Sequence, residues 1–362
     1  MKRAVLLLTL LTPALAAQEA AAPDSSADQR QRDLDAAKER MTAPKTALCA
    51  EAAAVRPLLT TDCARSFVDA TAAVPLVVPR ILYSDADQSH WYTLGEKLAL
   101  GLDAQLGFKK HEFDGTFYWN TRYGTPVAYA RAIDLAAQRG LQTGAAIVDF
   151  GCGGIGALRL LASNGSRVVG IDVDPMLKKL YSEPEDTGAI LSARPGGRSG
   201  VLSLEIGPWP ADASLADAVR TALPAGVDLF LSKNTLKNGY LHPAEEVDPR
   251  RLVHLGVSDE EFVAAVAMAL KPGGLFMIYN LCPAPAPAGQ PYIPWADGHC
   301  PFPPGMLEAA GLQVLDFDVV DDEAARAMGH ALGWDQGEGA MNLKDDLFAW
   351  FTVARRPAAG PK

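Results

Sequence analysis

Short apolar runs alternate with longer Ala- and Leu-rich segments along most of the chain. The runs are rich in Val, Ile, Leu and Phe and have the length of buried strands. They lie near 146–150, 167–172, 200–206, 227–232 and 274–280. Because helical segments separate these runs, the pattern predicts a parallel, doubly wound α/β sheet.

The pattern before residue 126 differs and favours helices. Within residues 85–106, Trp91, Leu94, Leu98 and Leu102 recur at spacings near three and four, which is typical of one helix face. We therefore predict an N-terminal helical cap over residues 46–125. Residues 18–45 are rich in Ala, Asp, Gln and Ser without a clear apolar stripe, and we predict a flexible linker there that ends in helix.

The first residues have the pattern of a secretory signal. Lys2 and Arg3 precede an apolar run over 4–11, and small residues follow around 14–17. A basic start, a short apolar core and an A-x-A-like site are typical of a cleavable signal peptide, and the run is too short to span a bilayer comfortably. We predict removal of residues 1–17 and export to the periplasm or the medium, without a stable membrane anchor. The alternative is a signal that does not function, which leaves the protein in the cytoplasm.

A glycine-rich loop follows the first predicted strand of the sheet. The spacing Gly151-x-Gly153-x-x-Gly156 lies between the apolar run at 146–148 and an Ala/Leu-rich segment at 157–162. Glycines at a strand-to-helix turn let the backbone turn sharply and approach a ligand closely, and the first amides of the helix point at that ligand. The loop therefore predicts a nucleotide-like ligand. It also matches the dinucleotide fingerprint of NAD-binding oxidoreductases, and a plain turn is a third interpretation.

Two carboxylates bear on the choice between these ligands. Asp149 lies two positions before Gly151, where a carboxylate would repel a pyrophosphate and would favour a cationic ligand that carries an amino group. Asp172 ends the second predicted strand, 21 positions after Gly151. A carboxylate at that place accepts hydrogen bonds from two ribose hydroxyls. Asp172 therefore indicates a ribose, which NAD and adenosine share.

These residues resemble the class I S-adenosylmethionine (SAM) dependent methyltransferases. Asp149-x-Gly151-x-Gly153 is similar to the first motif of that family, and Asp172 with the two residues before it is similar to its second-strand acidic motif. The turn at 270–274 and the run at 275–279 are similar to the approach to its fifth strand. The resemblance covers roughly residues 115–356. It implies a SAM-binding domain over 126–356 with a mostly parallel, seven-stranded Rossmann-like sheet, finished by antiparallel strands near 312–319 and 347–353.

The resemblance also implies how a cofactor is held. SAM would have its ribose on Asp172 and its amino-acid end oriented by Asp149, while the backbone at Gly151, Gly153 and Gly156 would approach it closely. Two further residues have alternative interpretations. Arg122 is either a partner of the cofactor carboxylate or an ordinary surface arginine. Trp209 either stacks on the adenine or packs in the core.

A polar segment after the fourth strand is the predicted acceptor site. Ligands of open α/β sheets bind at the carboxyl ends of strands, so Ser232, Lys233 and Asn234 should face the methyl group. The acceptor would be a small molecule or a peptide side chain. The Pro-rich loop at 283–304 is interpreted equally as a substrate wall and as a stiff surface loop. The candidate bases, each of which is otherwise a hydrogen-bonded structural residue, are His242, His254 and His299.

Composition limits the other partners. The formal net charge is −10, the pI is near 5.1 and there is no Lys/Arg-rich run, so nucleic-acid binding is not expected. The absence of a C-x-x-C pair makes a metal site with His299, Cys300 and Cys282 a weak interpretation, and no metal is predicted. In an oxidising compartment the local pairs Cys49/Cys63 and Cys282/Cys300 would allow two disulfides, although sequence leaves three pairings open.

The sequence therefore predicts a SAM-dependent methyltransferase whose acceptor and oligomeric state it does not specify. SAM is made in the cytoplasm, so an exported enzyme would need a separate supply of it. An exported enzyme with its own SAM supply, a cytoplasmic enzyme with a non-functional signal, and an exported non-enzymatic binding protein derived from the methyltransferase fold all remain open.

Overall fold

The computed structural model describes residues 25–100, 107–121 and 124–358. The chain divides into two units, Met1–Glu39 and Arg40–Lys362. In the first unit the described residues belong to helix α1 (Ser25–Val55). The predicted flexible linker is thus helical from Ser25 onward. The predicted signal peptide, residues 1–17, lies outside the described residues.

The described residues of the second unit form two β-sheets, one of three strands and one of eight. The strands are β1 (Arg80–Ser84), β2 (Trp91–Thr93), β3 (Lys109–Phe113), β4 (Ala146–Phe150), β5 (Arg167–Asp172), β6 (Gly188–Ile190), β7 (Gly200–Ile206), β8 (Val227–Lys233), β9 (Leu270–Cys282), β10 (Gln313–Val320) and β11 (Phe348–Arg355). The larger sheet has the order β10-β11-β9-β8-β4-β5-β7-β6. Strands β7, β5, β4, β8 and β9 are parallel, which confirms the predicted α/β class.

Both edges of the larger sheet are antiparallel. At one edge β11 pairs antiparallel with β9, and β10 pairs antiparallel with β11, as predicted for the last two strands. At the other edge β6 pairs antiparallel with β7, so the sheet has eight strands instead of the predicted seven. The extra strand lies between β5 and β7 along the chain. Its three residues are too few to show a strand periodicity in the sequence.

Helices cover both faces of this sheet. The remaining helices of the described residues are α2 (Asp62–Asp69), α3 (Leu94–Ala99), α4 (Gly115–Trp119), α5 (Ala130–Gln138), α6 (Gly156–Ala162), α7 (Pro175–Leu180), α8 (Ala213–Ala222), α9 (Asn238–Leu241), α10 (Asp259–Ala269), α11 (Pro304–Ala309), α12 (Asp322–Ala331) and α13 (Leu343–Asp346). Adjacent strand residues point to opposite faces. Ile147 therefore belongs to the core with α6, while Val148 belongs to a separate core with α10.

The predicted N-terminal helical cap over 46–125 contains strands in its central part. Strands β1, β2 and β3 form an antiparallel sheet there, in the order β2-β1-β3. The apolar spacing from Trp91 to Leu98 is divided between two elements, because Thr93 and Glu96 form a capping box that starts α3 at Leu94. Trp91 lies in β2 and packs against His111 and Phe113. Leu102 lies outside the described residues.

The predicted disulfides are not present. All five cysteines lie within the described residues, and each is a free thiol. The described residues contain no group of three or more His, Cys, Asp or Glu side chains that could hold a metal ion. Among the same residues, none of the helices has the length and apolar character that a membrane crossing requires.

Candidate functional site

The glycine loop turns sharply at the carboxyl end of β4. Gly151 and Gly153 have φ angles of 75° and 63°, a left-handed conformation that favours glycine. The amide of Gly151 donates to the carbonyl oxygen of Ile171 at 2.8 Å, which fixes the loop against β5. A Cβ on Gly151 would lie 2.1 Å from Oγ1 of Thr235. The loop therefore packs directly against the segment that follows β8.

Gly156 differs from the other two glycines in that it allows close packing and does not line the cavity. It begins α6, and a Cβ there would lie 1.9 Å from the carbonyl oxygen of Trp119. It permits the close approach of Trp119 to α6. Gly151 and Gly153, in contrast, line a cavity.

This first cavity has a volume of about 560 Å³ and lies over the carboxyl ends of β4, β5, β7 and β8. Its walls are mostly apolar, and its polar groups come from the glycine loop, the end of β5 and the end of β8. The lining residues that define it are Phe117, Thr121, Tyr129, Phe150, Gly151, Cys152, Gly153, Ile171, Asp172, Val173, Asp174, Met176, Leu177, Gly207, Pro208, Trp209, Lys233, Asn234, Thr235, Leu252, Val253 and His254.

Asp172 presents its carboxylate at this cavity from the end of β5. One oxygen accepts a hydrogen bond from the amide of Gly153 at 2.8 Å, and the other accepts one from the amide of Asp174 at 3.0 Å. Each carboxylate oxygen has a further lone pair, so the group can accept two more hydrogen bonds. Burial raises the pKa of Asp172 above its ordinary value.

Asp149 lies behind the glycine loop and is only 1% exposed. Neither of its carboxylate oxygens has an aligned hydrogen-bond partner among the described residues. Burial raises the pKa of Asp149 to about 7, and the nearby Tyr129 and Lys233 oppose that rise. A buried carboxylate without an aligned hydrogen bond is costly. Asp149 thus places a destabilising acidic group directly behind the glycine loop and beside Lys233.

A second cavity of about 730 Å³ adjoins the first. Thr121, Lys233 and Asn234 line both. The second cavity has aromatic and apolar walls with two lysines and one carboxylate. Its lining residues are Thr121, Gly124, Thr125, Ala128, Lys233, Asn234, Lys237, Tyr240, Leu281, Cys282, Pro283, Trp295, Trp334, Gly339, Met341, Asp346 and Leu347.

The segment after β8 forms the boundary between the two cavities. Asn234 has a positive φ of 64°, and its side-chain oxygen accepts a hydrogen bond from the amide of Leu281 at 2.7 Å. Lys233 places its ammonium 5.0 Å from the ring centroid of Tyr129. Ser232 is fully buried, and its hydroxyl accepts from the amide of Leu236 at 3.3 Å. Of the three predicted acceptor residues, Lys233 and Asn234 thus reach the cavities, and Ser232 supports the turn behind them.

The Pro-rich loop and the three candidate bases have different positions relative to the two cavities. Trp295 brings the Pro-rich loop into the wall of the second cavity. His242 pairs with Asp259 and His299 pairs with Asp297. His254 lines the first cavity only.

Trp209 and Arg122 had alternative interpretations. Trp209 is buried among Phe150, Phe230 and Phe262 while its surface lines the first cavity. It therefore packs in the core, as one of the two interpretations had it, and also borders the cavity. Arg122 lies outside the described residues.

Several lining residues have no signal in the sequence. Tyr129 comes from the 3-10 turn before α5, whereas Trp334 and Met341 come from the irregular segment between α12 and α13. They are far from the glycine loop in sequence, and the fold alone brings them to the same edge of the sheet.

No family model and no curated protein matches this sequence. Solved structures with a similar chain path include the [4+2]-cyclase SpnF (21% identity, TM-score 0.36, covering 63% of this chain and 81% of that one). Another is a putative sarcosine dimethylglycine methyltransferase from Galdieria sulphuraria (14% identity, TM-score 0.34, 63% and 88%). A third is coclaurine N-methyltransferase bound to N-methylheliamine and SAH (13% identity, TM-score 0.33, 63% and 72%). Because these TM-scores are low, the fold assignment rests on the strand order itself.

Proposed function

We propose that this protein is a SAM-dependent methyltransferase that holds SAM in the first cavity and the methyl acceptor in the second. The observation that carries the proposal is the junction of the two cavities at Lys233, Asn234 and Thr121. A transfer between two bound molecules requires two sites that meet at one point, and the junction provides that point.

The residues of the first cavity match the chemistry of SAM. Asp172 has lone pairs available for the two ribose hydroxyls, and the left-handed Gly151 and Gly153 let the backbone approach the ligand. The buried carboxylate of Asp149, which has no aligned hydrogen bond among the described residues, suits a ligand with an ammonium and a sulfonium charge. The same carboxylate would repel a pyrophosphate, which disfavours NAD.

When bound, SAM supplies a methyl group on a sulfonium, which is already a good leaving group. The protein therefore has to align the acceptor and exclude water, and orientation of this kind supplies roughly 7–11 kcal/mol of a barrier. Lys233 and Asn234 lie where the acceptor atom would meet the methyl group. Trp295 and Trp334 contribute aromatic surface to the wall of the second cavity.

The shape and charge of the second cavity support a small-molecule or peptide side-chain acceptor. Its aromatic walls suit a flat or apolar body. The overall negative charge of the protein disfavours nucleic acid as an acceptor.

Export remains part of the proposal. It is supported by the basic start, the apolar core and the small-residue site in residues 1–17. Mass spectrometry of the mature protein tests it. A start near Gln18 supports export, whereas an intact N-terminus in the functional protein contradicts it.

The ribose assignment is tested by Asp172→Asn. This variant loses the negative charge and one acceptor oxygen, and hydrogen bonds to charged groups contribute about 1.5–3 kcal/mol. We expect SAM affinity, measured by calorimetry, to fall by roughly 10–100-fold.

Asp212→Asn is the matched control for this variant. Asp212 also accepts backbone hydrogen bonds, from Ser214 and Leu215 at the start of α8, but it does not line the cavity. It should leave SAM affinity unchanged. Equal affinity of wild type and Asp172→Asn would refute the ribose role.

A further inference from the structure

Among the residues that the structure describes, Lys233 is the titratable side chain that both cavities share. Asn234 and Thr121 also line both, but the side-chain oxygen of Asn234 is engaged by the amide of Leu281, and the Thr121 hydroxyl donates to the carbonyl of Gly124. Lys233 ends β8, so the strand fixes its backbone at the junction.

We propose that Lys233 is the general base of the reaction and that the acceptor is an aromatic or otherwise flat molecule whose reacting atom carries a proton, such as a phenol or an ammonium group. This inference rests on the proposed function. It goes further by naming the residue that takes the proton and the class of acceptor that needs it.

The proton balance of the step is simple. The acceptor atom forms a bond to the methyl carbon, and the carbon–sulfur bond breaks with its electron pair remaining on sulfur. The proton of the acceptor O–H or N–H passes to the neutral amine of Lys233, which becomes an ammonium. No oxidant, reductant or metal is required.

The surroundings of Lys233 favour a neutral amine at moderately alkaline pH. The pKa of Lys233 is lowered to about 8, chiefly by burial; the charge of Asp149 opposes this shift and that of Lys237 adds to it. Tyr129 contributes its ring face, and Asp172 acts on Asp149 in turn. A positive charge on a ligand in the first cavity would repel a second cation at Lys233. This repulsion lowers the pKa of Lys233 when SAM is bound.

The other candidate bases are placed less well. His242 and His299 are paired with carboxylates, and neither lines the two cavities described. His254 borders only the first cavity. The Lys237 ammonium donates to the carbonyl oxygens of Leu281 and Trp295, which ties it to the wall.

The walls of the second cavity define the body of the acceptor. Tyr240, Trp295 and Trp334 provide aromatic surface, and Met341 and Leu347 provide apolar surface. Such walls favour stacking on a flat ring. An aliphatic polar acceptor would leave this surface without a matching partner.

The test is the number of protons exchanged when SAM binds. Calorimetric titrations at pH 8 in buffers of different ionisation enthalpy give that number directly. This pH lies near the pKa of Lys233, about 8, and above that of Asp149, about 7. Protons exchanged by the amino group of SAM are common to wild type and variants. We therefore expect wild type to release up to about half a proton more than a variant in which residue 233 does not titrate. S-adenosylhomocysteine, which lacks the sulfonium charge, should cause a smaller release.

Two variants assign the released proton to Lys233. Lys233→Arg keeps the positive charge near Asp149 but does not titrate at pH 8, and it should lose most of the release while still binding SAM. Lys233→Met is a second variant in case the larger arginine disturbs the junction. Lys110→Met, an exposed lysine of β3, is the control and should match wild type.

The outcomes separate this inference from the proposed function. Tight SAM binding with the same proton exchange in wild type and Lys233→Arg would overturn the base assignment and leave the methyltransferase proposal intact. Proton uptake that depends on Lys233 would indicate that its charged form anchors an anionic group, which also overturns it. Failure of the wild type to bind SAM would overturn both.

Discussion

At the scale of single residues, Asp149 is the most informative position. It is a fully enclosed carboxylate whose oxygens have no aligned partner among the described residues. Proteins rarely retain such a group without a function, because it lowers the stability of the folded state. Asp149 lies behind the glycine loop and beside Lys233. At this position its negative charge would attract a cationic ligand, which is a reason to retain a destabilising group.

This cost predicts an unusual pH dependence. The pKa of Asp149 is about 7 in the folded protein against an ordinary 3.8, so the folded state binds more protons between these values. The stability contribution is fully present below pH 3.8 and is lost as pH rises to about 7. Asp149→Asn should therefore raise the free energy of unfolding in urea by roughly 1–4 kcal/mol at pH 8 and change it little near pH 4.

The same Asp149→Asn variant should bind SAM at least about tenfold more weakly, because it lacks the negative charge. A gain in stability with a loss of affinity is the signature of a binding residue. A variant that is less stable than wild type at pH 8 would contradict this account of Asp149.

The roles of individual site residues could be predicted only where neighbouring residues in the sequence form a recognisable motif. Asp172 and the glycines at 151 and 153 are found by their spacing around strand ends. The boundary role of Lys233 was predicted only in part, since its position after β8 is visible but its contact with Tyr129 is not. The sequence does not show that Ser232 is buried and supports the turn after β8, because the direction of its side chain depends on the geometry of that turn.

At the scale of elements, the central feature is the contact between the glycine loop and the segment after β8. Gly151 lies against Thr235, whose hydroxyl donates to the Gly151 carbonyl at 3.2 Å. These two loops bring the ends of β4 and β8 together, and both cavities depend on that junction.

Gly151→Ala tests this contact. The new Cβ would meet Thr235 at 2.1 Å and would also occupy a left-handed backbone. We expect a loss of about 2–4 kcal/mol in the free energy of unfolding, from backbone strain together with overpacking, and a loss of SAM binding.

Gly144→Ala separates strain from contact. Gly144 has a similar φ of 82°, but its nearest neighbour would be 3.8 Å away. This variant should lose only about 1 kcal/mol and should keep SAM affinity. Equal losses in the two variants would show that the contact with Thr235 contributes nothing.

Elements were predictable where they are long or strongly apolar. The parallel strands β4, β5, β7, β8 and β9 are rich in apolar residues, and all were predicted. Strand β2 was missed because a capping box divides an apolar spacing that resembles a helix face. Strand β6 has only three residues and exists through its pairing with β7.

At the scale of the whole second unit, a buried ion pair joins the small sheet to the large one. Arg80 of β1 donates two hydrogen bonds to Asp186, at 2.5 and 2.8 Å, and the Tyr118 hydroxyl donates a third. Asp186 is fully buried in the segment between α7 and β6. The N-terminal sheet is thus part of the domain that carries the site.

Asp186→Asn should therefore destabilise the protein strongly. Removing one member of a buried pair leaves an uncompensated charge and costs about 3–5 kcal/mol, which urea denaturation measures. Asp69→Asn is the comparison, because the Arg56–Asp69 pair has the same groups but is about half exposed, and its loss should cost less than about 1 kcal/mol. Similar values for both variants would contradict the structural role of Asp186.

The architecture of the large sheet could be predicted from sequence, whereas the composition of the second cavity could not. The order of apolar runs and glycine turns determines a doubly wound sheet. The walls of the second cavity come from distant segments, including Thr125, Tyr240 and Trp334. Their meeting depends on tertiary packing, so no local pattern reveals it.

The most direct test of the central claim is the binding of SAM to the purified protein, measured by isothermal titration calorimetry with NAD as the comparison ligand. The account predicts micromolar binding of SAM and no measurable binding of NAD. Folded protein that fails to bind SAM, or that binds NAD in preference, would contradict it and would leave the glycine loop as an inherited turn or a dinucleotide site.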